Sequence, residues 1–477
     1  MKRFLAPGIL TVAFAISRLL YETVSPGVGS ISLRPPILER AGRAWAGLNF
    51  EVGTLERGMP LIDETLLRQD LARSLYYLHS QPPLFNLLVA AVLRSTDDFA
   101  RTYQRLNWAL GLALFLLTFA LMRRLRVGED AALVLGLLFL LNPNAMWMES
   151  AVYYGTLMAL LLTAGGYSFL RALAAGSLAW FALACLSFGI LTLTRAFFSW
   201  PWCVAATAFA AWAFARTTAP SPRRLRGVAA AALLPIACVA AFQVKQWALF
   251  GLLTGSSWFG CSLTTMTAGM RPEKEEALGR GKVSPLVNVY RNDTPEVYKR
   301  YVSVPATGIP ILDQERKAGG EPNYHNLVYV PIGRQYLADS LYVIARAPHK
   351  YAVNVLNSVY VFSGYQIGMY WQDPRKFFAL WSAPDILAPF VGFPLIAGGV
   401  VYGIRRTWRP ADFDPARRLT VAFMTGSFVY VALVACLFEK SEGPLYRYQA
   451  DAFLVTLLGL AWTEWRARRL KAAAGAA

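Results

Sequence analysis

A handful of acids, two arginines, a lysine and a histidine stand at the edges of apolar segments, where side chains can meet both a lipid headgroup and water. Asp63, Glu64 and Asp70 lie in Leu61-Ile-Asp-Glu-Thr-Leu-Leu-Arg-Gln-Asp70, shortly before His79-Ser-Gln-Pro-Pro-Leu84. Glu149 ends Asn142-Pro-Asn-Ala-Met-Trp-Met-Glu149, with aromatic residues on both sides. Arg195 closes one apolar run, Arg447 precedes another, and Lys245 lies near the end of a third. A carboxylate can take the proton of an attacking hydroxyl. Guanidinium groups can hold the charge of a departing phosphate. Together they would suit a group transfer with a lipid phosphate as leaving group.

Each residue also has a plainer reading. Apolar residues recur at intervals of three and four from Leu61 to Leu78, which predicts an amphipathic helix. Asp63 and Glu64 would cap its N-terminus, where negative charge is favoured, and Asp70 would sit on its solvated face. His79 could donate to a phosphate, ligate a metal or cap a turn, and Pro82-Pro83 stiffens the entry to the next apolar segment. Glu149 at a membrane boundary must be paired or face water. Arg195 and Arg447 could bind a lipid phosphate or only snorkel to headgroups.

The elements that must carry these residues are membrane helices. The chain has 477 residues, is 56% apolar and carries a net charge of +18. In a soluble protein that charge would suggest nucleic acid; here Lys and Arg cluster at the ends of apolar runs, so nucleic-acid binding is not expected. The cysteines, Cys185, Cys203, Cys238, Cys261 and Cys436, show no metal-type spacing or disulfide framework. The first apolar run reads as an uncleaved anchor.

Windows long enough to cross about 30 Å of hydrocarbon predict ten spans, near 4–22, 105–122, 130–147, 152–170, 177–194, 200–215, 228–250, 385–404, 419–437 and 449–465. With both termini cytoplasmic, every basic cluster falls inside, from Lys2-Arg3 to Arg466–Lys471. Leu84–Val92 is too short to cross, and 351–371 is polar enough to lie at the interface. The expected architecture is an all-α polytopic membrane protein. A core of 1–250 includes a first outside loop, 22–104; a cap of 252–384 and C-terminal helices of 385–477 follow.

The motifs in this order resemble the GT-C superfamily of integral membrane glycosyltransferases, which includes the protein O-mannosyltransferases and the aminoarabinose transferases. The matching elements are the single N-terminal span and the acid-bearing first loop, then His79-Ser-Gln-Pro-Pro-Leu-Phe85 and Arg105-Leu-Asn. Arg123-Arg-Leu, the Asn142-Pro…Glu149 turn and the closing Tyr446-Arg-Tyr448 complete them.

The resemblance implies an inverting transferase using a polyprenyl-phosphate-linked sugar at the outer face of the plasma membrane. Asp63 would be the general base, with Glu64 and Asp70 as neighbouring acids and Glu149 as the second acid. Arg447, Arg195 and Lys245 would bind phosphate, with His79, Gln81 and Tyr446 beside them. Some relatives place a divalent metal between such acids, which here would draw on Asp63, Glu149 and His79. Relatives often carry an Asp-Glu pair soon after the first span, where this chain has Glu22 alone, and Lys beside the Pro-Pro element, where it has His79 and Gln81. The reading requires Asp63, Glu149 and Arg447 to share one cleft. A transporter or flippase of a lipid-linked or anionic solute, or a non-catalytic envelope assembly protein, is the alternative; the scarcity of charge within the spans argues against passage.

Overall fold

The computed structural model describes residues 2–24, 54–218, 221–364, 384–408, 414–440 and 442–474. Glu22's side chain and residues 365–371 of the expected interfacial stretch lie outside the described part. Among the described residues the regular structure is helical, with only an isolated bridge between Arg316 and Pro322, and 299–328 is largely irregular. In chain order the main helices are α1 Lys2–Val24, α2 Glu64–Gln69, α3 Leu71–Tyr76, α4 Leu84–Ser95, α5 Phe99–Arg124 and α6 Glu129–Leu140. Next come α7 Pro143–Glu149, α8 Gly155–Ala175, α9 Leu178–Thr194, α10 Trp200–Thr217, α11 Pro222–Phe250 and α12 Phe259–Leu263. The last are α13 Arg271–Gly279, α14 Tyr329–Arg346, α15 Pro348–Ser363, α16 Pro384–Trp408, α17 Pro415–Phe438 and α18 Gly443–Ala474.

Among the described residues four helices, α5, α8, α11 and α17, are long and apolar enough to cross a bilayer. Nine of the ten expected spans coincide with helices of 17 to 32 residues. Their ends follow local chemistry. Asp98, Ser221 and Asp414 cap α5, α11 and α17 by accepting from the backbone N–H three residues on. Pro222 and Pro415 open α11 and α17, where no intrahelical donor is lost. Gly176 and Gly251 end α8 and α11 at φ of +60° and +61°.

The expected span 130–147 is the exception. Leu140 ends α6 after 12 residues, about 18 Å of helix, and a separate seven-residue helix begins at Pro143. Asn142 causes the break: its side chain accepts from Asn144 N–H, and Pro143 takes the first helical position.

The central helix is α8, which packs on α9, α5, α18 and α17. Close approach depends on two glycines. A Cβ at Gly189 would stand 2.5 Å from Pro235 Cβ, so α9 and α11 meet there. A Cβ at Gly111 would stand 2.5 Å from Glu149 Oε1, so α5 leaves room for a carboxylate. On α11 the large apolar residues Leu233, Leu234, Val244 and Trp247 face outward, as lipid contact demands.

Candidate functional site

One cavity of about 610 Å³ collects chemistry from distant parts of the chain. It is bordered by Gln81, the turn after α7, the turn between α9 and α10, the segment after α11, and the link from α17 to α18. Tyr153 and Tyr154 stack at 4.1 Å with their hydroxyls 2.7 Å apart. Arg195 lies over the Tyr154 ring, its Cζ 4.4 Å from the centroid. Beyond it, Phe197 and Tyr446 stack, and the Tyr446 hydroxyl donates to Glu442 Oε2 at 3.0 Å. Glu439 accepts from Arg291 Nη1 at 3.3 Å. Glu439, Glu442 and Arg291 all border the cavity.

The polar inventory is unbalanced in a way that points inward. Arg195 makes no ion pair among the described residues, and its Nη1 is buried without a hydrogen-bond partner. Gln81 Oε1 is in the same condition, on a side chain only 9% exposed. Buried donors and acceptors without partners cost free energy unless a ligand or water meets them. Burial raises the Glu442 carboxyl above its ordinary value and the Glu439 charge adds to this, while Arg195 opposes it. The site therefore offers a cation without a direct ion pair among the described residues, a carboxylate inclined toward its protonated form, and aromatic walls.

Of the residues expected from the sequence, Gln81, Arg195 and Tyr446 meet here. The shared cleft of Asp63, Glu149 and Arg447 that the sequence reading required does not form, because none of the three borders this cavity, so their assignment as base, second acid and phosphate cation is not carried further. Asp63 is the N-cap of α2: Oδ1 accepts from Thr65 and Leu66 N–H at 2.8 and 3.4 Å, and Oδ2 accepts from Ala318 N–H at 2.6 Å. Its lone pairs are committed to backbone, which favours capping over proton abstraction in this geometry. Glu64 pairs with Arg68 at 2.9 Å on the surface, and Asp70 marks the α2–α3 junction.

Glu149 and Arg447 pin the helix break. Arg18 Nε and Nη2 grip Glu149 at 2.8 Å each, with both residues buried. Arg447 pairs with Asp451 at 3.1 Å and donates to Phe362 O at 2.6 Å. Asp451 in turn accepts from Asn142 at 3.5 Å. So α7 is held by one ion pair at its start and another at its end, and the residues just after it, Val152 to Tyr154, form cavity wall.

His79 is the centre of a buried knot rather than a ligand. Its Nε2 donates to His325 O at 2.8 Å, which leaves Nδ1 to accept from Ser257 Oγ at 2.8 Å. Ser80 Oγ and His325 Nδ1 lie 2.6 Å apart, and Ser257 N–H donates to His79 O at 3.0 Å. Lys245 Nζ donates to Leu78 O at 2.8 Å, beside the same knot. Burial pushes His79 down to about 4 and His325 to about 3, so both imidazoles are neutral. Asp63, Glu149 and His79 therefore cannot gather round one metal ion; among the described residues no three His, Cys, Asp or Glu side chains converge to do so.

Glu439, Glu442 and Arg291 were not expected from the sequence. The signal for the acids was present: both follow the apolar run of α17, and an acid at such a boundary must be paired or face water. Arg291 lies in a polar stretch with no pattern to single it out.

No family model and no curated protein matches the chain. Among solved structures it is similar to ArnT from Cupriavidus metallidurans in the apo state, at 14% identity over 89% of this chain and 76% of that one, with a TM-score of 0.28. The structure of that protein bound to undecaprenyl phosphate is similar at 14% identity over the same shares, with a TM-score of 0.27. At these TM-scores the likeness carries no argument about this site.

Proposed function

We propose that this chain is a membrane glycosyltransferase of the GT-C type, transferring a sugar from a polyprenyl-phosphate-linked donor to a hydroxyl acceptor at the outer face of the plasma membrane. The observation that carries the reading is the Arg195 guanidinium, without an ion pair among the described residues, facing a cavity it shares with Glu442. Arg195 takes the phosphate. Stacked Phe197–Tyr446 and Tyr153–Tyr154 give flat apolar faces for a sugar ring. Gln81 Oε1 accepts from a ligand hydroxyl.

Glu442 takes the role of general base. It removes the proton of the acceptor hydroxyl as that oxygen attacks the anomeric carbon. The bond from that carbon to the phosphate oxygen breaks, and its electron pair stays on the phosphate beside Arg195. Attack opposite the leaving group inverts the anomeric centre. A carboxyl raised toward neutrality is a more effective base at physiological pH than an ordinary one, provided it is deprotonated when the acceptor arrives. The Glu439–Arg291 pair sets the field in which it ionises. Membrane lipids surround the helices, and both termini are cytoplasmic.

The test is transfer by the purified full chain from a polyprenyl-phosphate sugar. Glu442→Gln and Arg195→Gln each lower turnover by about two orders of magnitude or more, as loss of a base or of a phosphate-stabilising cation does. Full turnover in both variants, in protein that remains folded, excludes this site.

A further inference from the structure

A second cavity, of about 630 Å³, borders the turn after α12 (264–268) together with α13, α14 and α15. Three cations line it, Lys274, Arg291 and Lys440, against one carboxylate, Asp339. Asp339 is already engaged, accepting from Ser284 N–H at 3.2 Å, Ser284 Oγ at 2.5 Å and Gln335 Nε2 at 2.9 Å. Arg291 faces Glu439, and among the described residues Lys440 Nζ donates to the neutral Asn354 Oδ1 at 2.9 Å.

Lys274 is the exception on its helix. The other charges of α13 are all paired: Arg271 with Glu275 at 2.7 Å, Glu276 with Arg280 at 2.8 Å, and Glu273 with Lys350 at 2.5 Å. Lys274 makes no side-chain hydrogen bond or ion pair among the described residues, yet it is half-buried. An ammonium partly withdrawn from water without a counter-ion is unfavourable, and burial holds its pKa below the usual lysine value. An anion in the cavity removes that penalty.

The hydroxyls on the wall add a second requirement. Thr264 Oγ1 donates to Cys261 O at 2.7 Å and Thr267 Oγ1 to Thr264 O at 2.8 Å. Their single protons are used, so they present lone pairs to the cavity and ask for hydroxyl donors on the ligand. The volume falls within the range of small-molecule sites.

We propose that this cavity is a binding site for a hydroxyl-bearing phosphate, such as a sugar phosphate or a polyol phosphate headgroup, with Lys274 and Lys440 on the phosphate and Thr264 and Thr267 accepting from its hydroxyls. Arg291 borders both cavities, so this ligand lies next to the transfer site without occupying it. The binding does not depend on the transferase reading.

The test titrates glucose 1-phosphate into the full chain in nanodiscs of zwitterionic lipid, with glucose as the neutral control. Wild type binds the phosphate saturably and glucose much more weakly. Lys274→Gln loses affinity by about tenfold or more, close to 1.4 kcal/mol, Lys274→Arg restores most of it, and Arg195→Gln changes it by less than about twofold. Repetition in phosphatidylglycerol nanodiscs separates the sources: competition assigns the site to a lipid headgroup, and unchanged affinity to a soluble phosphate. Absence of saturable binding, or equal affinity in wild type and Lys274→Gln, overturns the proposal. Loss in Arg195→Gln alone assigns the phosphate to the other cavity and overturns it equally, while leaving the transferase reading intact.

Discussion

The rings of Phe197 and Tyr446 lie parallel, 4.5 Å apart and inclined by 2°. This contact ties the turn that carries Arg195, two residues before Phe197, to the first turn of α18, where Tyr446 lies four residues after Glu442. The Tyr446 hydroxyl then fixes Glu442 through a 3.0 Å hydrogen bond. One side chain thus sets the spacing between the guanidinium and the carboxylate.

Two substitutions at Tyr446 separate these jobs. Tyr446→Phe keeps the stack and frees Glu442, so turnover falls by about fivefold, in line with about 1 kcal/mol for one hydrogen bond, and the unfolding midpoint moves little. Tyr446→Ala removes both, adding a loss of about 3–5 kcal/mol in stability as for other buried aromatics. Transfer rates and thermal unfolding of the two proteins distinguish the outcomes.

Asp63 should behave as a structural residue. Asp63→Ala loses a helix cap, about 1–2 kcal/mol, and orphans Ala318 N–H, about 1–3 kcal/mol. Turnover per folded molecule is expected to stay near wild type. A collapse of turnover at an unchanged melting temperature returns the general-base role to Asp63.

Arg18 and Glu149 form a buried pair whose halves cannot be removed singly. Glu149→Gln leaves an uncompensated buried guanidinium and costs about 3–5 kcal/mol. Arg18→Met together with Glu149→Gln should cost less than the sum of the single changes, because no lone charge remains. Additive destabilisation in thermal unfolding would show the pair to be uncoupled.

Much of the architecture was readable because lipid imposes a coarse rule, apolar length. It failed at 130–147, where the residues stay apolar on both sides of Asn142-Pro143 and only the cap-and-proline signal marks the break. The site was harder. Residue types at the boundaries were identifiable, and Arg195 stood out as the lone cation of its turn. Whether an acid is spent depends on what faces it, and Arg18 meets Glu149 across 131 residues of sequence. No local pattern encodes that pairing, nor the one between His79 and Ser257, 178 residues apart.

The histidine knot predicts acid sensitivity. Folded His79 and His325 titrate near 4 and 3, below the ordinary 6.5. Between pH 6.5 and about 4 the unfolded chain binds more protons, so stability is full above 6.5 and falls as pH drops through that window. Lys317, pushed down to about 8 by burial, acts at the other end: stability rises further from pH 8 toward 10.5. Unfolding midpoints across pH 4–10 measure both effects. His79→Gln should flatten the acid limb, and an equally steep limb in that variant contradicts the assignment.

The knot joins Ser80 to His325, and the cavity that holds Arg195 draws wall residues from Gly58 through Tyr446. During synthesis Gln81 and Arg195 therefore emerge long before the later segments that enclose them exist. A ribosome that has reached Phe250 has still to make the wall from Leu253 to Tyr446. The enclosed cavity is therefore complete only near the end of translation, once Glu442 and Tyr446 have been added to its wall.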